Sequence, residues 1–291
     1  MKIVELGTQN VKKISLPKKK HLSITVTYSF LIFYTMLTLV PIFWVFTNSF
    51  RESGEILTNF RIIPTSFDLS NYIKLFEATN ILRAFYNSLS ITVISLLVLM
   101  VIVLPLSFAI SRFKFRMATY IYLFFSLAVL IPTITILPMN YKLFNELGLL
   151  GYKYSIVIAY VVEQIPISVF LMAMFMKAIP SELDEAAIID GCGVWKIFTK
   201  VTIPLSQNGI VTMLILASVA IWNDYTTALI MIPKEEHKTL SVILAYAKGE
   251  YFVDYGMMSA AVIFAIIPML VFYLITKEKL VSGMSLGAVK G

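Results

Sequence analysis

The chain has 291 residues, of which 58% are hydrophobic and 14% are charged, and its mean hydropathy is +0.83. Soluble domains carry roughly 25% charged residues, so this composition excludes a water-soluble globular protein and predicts an integral membrane protein. The net charge of +7 does not indicate nucleic-acid binding, because the lysines and arginines lie in short segments beside apolar runs. One cysteine excludes an internal disulfide, and with only two histidines we expect neither a metal site nor a bound cofactor.

The amino-terminal segment combines a basic start with a long apolar run. Residues 1–23 contain six lysines and one glutamate, and an uncharged run of 29 residues follows from Leu22 to Phe50. A secretory signal peptide has an apolar region of only about 7–15 residues, whereas about 20 residues cross the hydrocarbon core of a bilayer. The pattern predicts a basic tail over 1–23 and a retained transmembrane helix over 24–49.

Five more apolar runs predict five further transmembrane helices. Two of the runs are interrupted by one acid each, Glu163 and Asp224, and the other three are uncharged. The predicted fold class is therefore an all-α integral membrane protein with six transmembrane helices. The five runs occupy residues 84–111, 117–141, 154–176, 201–233 and 255–276.

The charges of the loops predict the orientation in the membrane. Six spans place both termini on one side, where the loops contain 15 lysines and arginines in 67 residues, against 9 in 66 residues on the opposite side. Because cytoplasmic loops are enriched in these residues, we expect both termini to be cytoplasmic. The segment 50–84 is then extracytoplasmic. The membrane core covers 85–276, with a cytoplasmic loop over 178–205, and a cytoplasmic tail covers 277–291.

Within the extracytoplasmic segment, residues Ser70 to Phe76 have the pattern of a short, capped amphipathic helix. Its apolar residues Ile73 and Phe76 are three positions apart and share one face. Such a helix would lie at the membrane surface. An ordinary solvated loop is an equally open interpretation.

The segment from Ser181 to Leu205 is polar, although it lies between two strongly apolar runs. Ser181 is placed to cap a helix start, and Asp184 is placed to reach back to the first backbone amides. Gly191 is the residue type that ends a helix in a left-handed conformation, and a second helical piece from Val194 to Lys200 follows. The segment predicts two short helices joined by a bend, which form either a lever for a soluble partner or a hairpin on the membrane.

The spacing of Glu185-Ala186-Ala187, Gly191 and Pro204 resembles the EAA loop of ABC importer permeases. Cys192 departs from the family, which commonly has alanine there. Other segments resemble carbohydrate permeases, in particular the smaller permease of maltose-type importers. These segments are Asn87-Ser88, Ser111-Arg112-Phe113, Trp222-Asn223-Asp224 and the ending 281–291.

The resemblance implies a type I ABC importer permease, with the EAA loop forming a coupling helix in a cleft of an ATPase subunit. Glu185 would make the polar contact, Ala186 and Ala187 would allow close approach, and Gly191 would make the bend. The tail with Gly287 and Lys290 would enter the interface of the ATPase dimer, unless it is only a frayed end.

The partners that the resemblance implies are two ATP-binding subunits, a second and different permease, and an extracellular solute-binding protein. The chain lacks a G-x-x-x-x-G-K-[ST] motif, so ATP must be bound by a partner and the chain itself is not expected to be an enzyme. A non-sugar solute such as a peptide or amino acid remains an alternative substrate. An intramembrane enzyme is disfavoured by the absence of HExxH, and a self-sufficient secondary transporter by the absence of inverted repeats.

The two acids inside apolar runs are candidates for the substrate pathway. Glu163 and Asp224 are each about nine residues from the outer end of their span, and an acid at the centre of a span is costly unless it faces protein or water. Trp222 and Asn223 precede Asp224, and aromatic, amide and acidic groups together suit a sugar. The alternative is that Asp224 pairs with another helix and has a structural role.

Overall fold

The structure is a computed structural model that describes residues 18–59, 61–64, 67–246 and 254–288. All regular elements within these ranges are helices, which confirms the predicted all-α class. The elements include one turn of π-helix, Phe198–Thr202, and a short 3₁₀ turn, Glu235–His237. In chain order the α-helices are α1 (Lys18–Asn48), α2 (Ser53–Thr58), α3 (Ser70–Ala78), α4 (Ile81–Arg112), α5 (Ala118–Ala128), α6 (Thr133–Glu146), α7 (Lys153–Lys177), α8 (Glu182–Ile189), α9 (Val194–Ile197), α10 (Ile203–Leu205), α11 (Gln207–Asn223), α12 (Thr226–Met231), α13 (Leu240–Tyr246) and α14 (Tyr255–Ala288).

Within the described ranges, four helices are long and apolar enough to cross a membrane, namely α1, α4, α7 and α14. Two bent pairs bring the number to six when each pair is one span: α5 with α6, bent by 100°, and Val194–Leu205 with α11, bent by 73°. The pairs correspond to the predicted spans 117–141 and 201–233. The first bend falls at Pro132, which is extended with a ψ of 127°, since proline lacks an N–H and disfavours helix in the residue before it.

The core lies where α4 packs along α7. Leu99 and Val103 of α4 and Met172 and Ala173 of α7 are all fully buried there. Helix α11 packs against the same face of α7 at Gly209, where a Cβ atom would lie only 2.6 Å from Cγ of Phe175. The absence of a side chain at Gly209 therefore permits the close approach of these two helices.

Helix α1 is much less buried than the core helices. Only 6% of its most apolar stretch is buried, against 50% for α7. Its side chains are predominantly apolar and exposed, which suits lipid or another apolar surface. Among the described elements, its most extensive contacts are made with α14.

The segment that follows α1 is built around Arg51, whose side chain is almost completely buried. The Arg51 guanidinium donates hydrogen bonds to the carbonyl oxygens of Asn59, Arg61 and Glu55. Its Nε lies 3.2 Å from a carboxylate oxygen of Glu55. These bonds fold the chain around α2 into a compact unit, so the segment is an ordered structure.

Helix α3 confirms the predicted helix at residues 70–76. Its buried residues are Asn71 and Leu75, while Ile73 and Phe76 are 56% and 43% exposed. The apolar pair thus remains available to the membrane surface. The start of α3 is held by Asp68, and hydrogen bonds from the side chain and backbone of Ser70 lower the pKa of Asp68.

The first and last helices extend into both predicted tails. Helix α1 begins at Lys18, inside the predicted basic tail. Helix α14 continues to Ala288 and so includes most of the predicted tail 277–291, and Gly287 lies in this helix. Lys290 lies outside the described residues.

Candidate functional site

The segment from Ser181 to Leu205, which carries the EAA-loop residues, is called the EAA segment below. Its first part forms helix α8, which carries Glu185, Ala186 and Ala187. Gly191 follows two residues after the end of the helix at Ile189, and its φ of +77° lies in the left-handed region. The Gly191 N–H bonds to the carbonyl of Ile188 and the Cys192 N–H bonds to the carbonyl of Ala187, both at 2.9 Å. This pair of bonds is a Schellman motif, and it confirms the predicted bend at Gly191.

The predicted capping box at the start of α8 is wrong. Among the described residues, the Ser181 side chain finds no backbone N–H to cap. Asp184 points instead to Arg112 at the end of α4, and its Oδ2 lies 3.0 Å from the guanidinium Nε. A guanidinium is a stronger partner for a carboxylate than a backbone amide, and aspartate is one methylene shorter than the usual glutamate.

Helix α8 is exposed on most of its surface. Against the described part of the chain it has no fully buried residue, and Glu185 and Ala186 are exposed. Leu183, Ile188 and Ile189 are also exposed, Ile189 by 86%. Exposed apolar side chains in a polar segment outside the predicted spans indicate a surface for a protein partner or for the membrane.

The second part of the EAA segment is anchored in the membrane core. Its helical conformation runs beyond the predicted end at Lys200, through the π turn and α10, and Pro204 lies in α10. Phe198 is buried and its ring centroid lies 5.1 Å from that of Phe108 in α4. Trp195, by contrast, is 71% exposed. The segment therefore links an exposed helix to the packed interior.

Asp224 lies in a break between α11 and α12, so residues 201–233 do not form one continuous helix as predicted. Its carboxylate accepts a hydrogen bond from the Tyr160 hydroxyl at 2.7 Å. It also accepts from the Thr227 hydroxyl at 3.2 Å and the Ala228 N–H at 3.0 Å. Asp224 thus caps the start of α12 and ties it to α7. Asp224 lies two residues before Thr226, the first residue of α12, so the sequence offered an acceptor for the free N–H groups at a helix start.

Glu163 lies on α7, one turn beyond Tyr160, and its carboxylate is near enough to Asp224 for electrostatic interaction. The structure therefore brings the two predicted acids together. One oxygen of Glu163, Oε1, is buried and has no hydrogen-bond partner among the described residues. The same residues contain no group of three or more His, Cys, Asp or Glu side chains placed to hold a metal ion.

Trp222 and Asn223 belong to a different site from the two acids. They line a cavity of about 570 Å³ between α11, α13 and α14. The Trp222 indole N–H donates to the Ala265 carbonyl at 3.3 Å, which fixes the ring in the cavity wall. Asn223 is exposed in the cavity. Sequence analysis missed two polar lining residues, Ser241 and Tyr273, because they come from elements other than the one that carries Trp222 and Asn223.

The sequence is similar to that of known transport proteins of the membrane. Residues 101–277 match the family described as the binding-protein-dependent transport system inner membrane component. The chain is 31% identical over 88% of its length to a probable starch degradation products transport system permease protein, AmyC of Thermoanaerobacterium thermosulfurigenes, 93% of which is covered. It is 27% identical over 91% of its length to the diacetylchitobiose uptake system permease protein NgcG of Streptomyces coelicolor, 88% of which is covered.

The fold is similar to that of a solved transporter. A chain in the crystal structure of a bacterial ABC transporter involved in the import of alginate matches with a TM-score of 0.79 and 20% identity. The match covers 91% of this chain and 98% of that one. The chain therefore belongs to the family of binding-protein-dependent transport system inner membrane components, as its resemblance to ABC importer permeases predicted.

Proposed function

We propose that the chain is a permease subunit of a binding-protein-dependent ABC importer that moves a carbohydrate into the cell. The observation that carries this function is helix α8, an exposed helix with Glu185-Ala186-Ala187 that ends in the Gly191 bend and continues into the membrane core. The relatives named for starch degradation products and diacetylchitobiose support a carbohydrate, and they do not support the peptide alternative.

Energy for transport comes from a separate ATPase subunit that receives α8. The exposed side chains of Leu183, Ile188 and Ile189 give the helix an apolar contact surface, and Glu185 adds a charge beside it. Burying such side chains in a cleft of the partner would provide most of the association free energy. Gly191 fixes the direction in which the rest of the segment leaves the cleft.

The complete importer contains two permease subunits and two ATPases, because each chain has one EAA segment. A second, different permease would cover apolar surface of this chain, and α1 offers a large exposed one. Helix α8 lies beside the basic loop that carries Lys114 and Arg116, which supports a cytoplasmic position for both. Both termini are then cytoplasmic, and an extracellular solute-binding protein delivers the sugar to the opposite side.

The cavity beside Trp222 and Asn223 forms part of the sugar pathway. A sugar presents apolar ring faces and many hydroxyl groups, so it needs aromatic surfaces with hydrogen-bonding groups between them. The aromatic side chains of Trp222, Tyr225 and Tyr273 and the polar groups of Asn223 and Ser241 provide this combination. Asp224 contributes indirectly, by holding the helix break that presents Asn223 and Tyr225. Glu163 lies near Asp224, on α7.

The coupling role is tested by Glu185→Lys in the importer reconstituted into liposomes with its ATPases and binding protein. We expect the variant to lose ATPase stimulation and sugar uptake, because the charge at the contact is reversed. Glu182→Lys is the matched control, since Glu182 is an exposed acid on the same helix. If Glu185→Lys leaves the ATPase bound and uptake intact, the coupling assignment is wrong. The same assay with a panel of sugars identifies the substrate.

The pathway role is tested by comparing Asn223→Ala with Asp224→Asn. We expect Asn223→Ala to raise the KM for uptake without changing the melting temperature, because Asn223 is exposed in the cavity. We expect Asp224→Asn to lower the melting temperature and the yield of assembled importer, since it weakens the cap of α12 and the bond to Tyr160. An unchanged KM for every transported sugar in Asn223→Ala would remove the cavity from the pathway.

A further inference from the structure

We propose that Arg112 is a positioning residue that transmits movement of α8 to the membrane core. Arg112 is the last residue of α4 and forms two contacts, an ion pair with Asp184 of α8 and a hydrogen bond to the carbonyl of Ile179. The inference rests on the proposed function of α8 as the ATPase contact. Arg112 is not part of the proposed contact with the ATPase. Its role would be to transmit movement from α8 to the core.

The first step of the argument is that α8 has little packing of its own. Against the described residues none of its side chains is fully buried, and only Asp184 and Ala187 are half-buried. Ala187 makes the apolar contact with the core, and Asp184 makes the polar one. Because α8 has so few contacts, the coupling between its movement and the core depends on these two residues.

The second step concerns the strength of the ion pair. The Nε to Oδ2 distance is 3.0 Å, and the two side chains are only 9% and 16% exposed. Exposed ion pairs contribute little because water screens them, whereas a pair shielded from water is strongly coupled and its loss strands a charge. Arg112 also donates a hydrogen bond from Nη1 to the Ile179 carbonyl at 2.9 Å, which holds the guanidinium in place.

The third step is the position of these contacts along the coupling path. Ile179 lies between α7 and α8. Arg112 therefore contacts both the connection between these helices and α8 itself. One turn earlier in α4, the Phe108 ring packs on Phe198 in the second half of the EAA segment. The end of α4 therefore holds both halves of the segment, and α4 packs along α7 in the core. A push on α8 reaches the core through Arg112 because the other described contacts of α8 are sparse.

Neighbouring charged residues do not share this arrangement. Lys114 and Arg116 line the same 850 Å³ groove between the loop after α4 and α8. Both are exposed, and within the described part of the chain neither has an ion pair. Lys114 is therefore a matched control, a basic residue in the same loop without the tie to α8.

The experiment measures sugar molecules taken up per ATP hydrolysed in liposomes that contain the complete importer. We expect Arg112→Ala and Asp184→Asn to keep the ATPases bound and active, but to lower this ratio by about five- to tenfold, within the usual range of coupling between sites. Lys114→Ala should leave the ratio unchanged. The double variant Arg112→Glu with Asp184→Arg should restore much of the ratio, because it rebuilds the pair with reversed charges.

Two results would overturn the inference. One is a normal ratio in Arg112→Ala, measured in an importer in which Glu185→Lys abolishes stimulation. The other is a double variant that assembles but remains as uncoupled as the single variants. If the single variants fail to assemble, the double variant alone decides between these outcomes. The proposed function fails separately, when the unmodified importer takes up no sugar or when Glu185→Lys has no effect.

Discussion

At the scale of single residues, Gly191 controls the angle between α8 and the rest of the EAA segment. Its φ of +77° is a conformation that residues with a side chain rarely adopt. A Cβ atom built at Gly191 would meet no other described atom within 4 Å. Any penalty for a larger residue at this position therefore comes from the backbone conformation alone.

We predict that Gly191→Ala weakens binding of the ATPase subunit to the permease. The left-handed conformation costs alanine about 1–2 kcal/mol, so the bent form of α8 becomes less populated. Gly193→Ala is the control, because Gly193 has a φ of −74° and is equally free of neighbours among the described residues. The dissociation constant of the purified subunits is the measurement. Equal effects of the two substitutions would contradict this account.

Local and distant partners explain which residues the sequence predicted correctly. Gly191 was predicted because a glycine after a helix has its effect within one turn of the chain. Asp184 was placed in a local cap, although its partner Arg112 lies at the end of a different helix. Asp224 was placed inside a span, although it caps α12 and binds Tyr160 on α7. A single sequence does not reveal which distant side chain will compete for a carboxylate.

At the scale of helices, apolar length predicted the long apolar helices but not where the helices break. The predicted span 117–141 contains the break at Pro132, and the predicted span 201–233 contains the breaks at Ser206 and Asp224. Pro132 was visible in the sequence, yet proline inside a membrane helix often produces only a kink. The packing of neighbouring helices decides between a kink and a break. The residues that α13 and α14 contribute to the cavity could not be predicted, because the sequence does not show which separate helices pack around it.

We predict that Gly209→Ala destabilises the contact between α11 and α7. The added Cβ would lie 2.6–2.9 Å from Cγ, Cδ2 and Cβ of Phe175, and the Cβ of Phe175 is fixed to the backbone. Overpacking of this kind costs about 1–3 kcal/mol. The melting temperature in detergent should fall by several degrees, whereas Gly54→Ala, in α2 with no described neighbour within 4 Å, should leave it nearly unchanged. A melting temperature in Gly209→Ala as high as that of Gly54→Ala would show that α11 can shift freely.

At the scale of the whole molecule, one small site joins three distant parts of the chain. The Asn71 side chain in α3 donates hydrogen bonds to the carbonyls of Ser49 and Arg51, which follow α1. Gly256, near the start of α14, lies directly against this pair. Since α1 is otherwise little buried, this site holds the carboxyl-terminal end of α1 to the rest of the molecule.

We predict that Gly256→Ala opens this junction. Its Cβ would overlap the Arg51 carbonyl oxygen and lie 2.5 Å from the Asn71 amide nitrogen, so α14 would have to move away from the end of α1. Backbone atoms cannot rotate aside, and the Asn71 hydrogen bonds would be lost with the contact.

The resulting change is measured by trypsin cleavage. Arg51 is only 2% exposed in the intact junction, and its guanidinium holds the carbonyls of Asn59 and Arg61. We expect cleavage after Arg51 to accelerate in Gly256→Ala and to stay slow in Gly54→Ala, which adds the same methyl group three residues after Arg51. Unaltered cleavage in Gly256→Ala would mean that α1 is held to the molecule by contacts other than this junction.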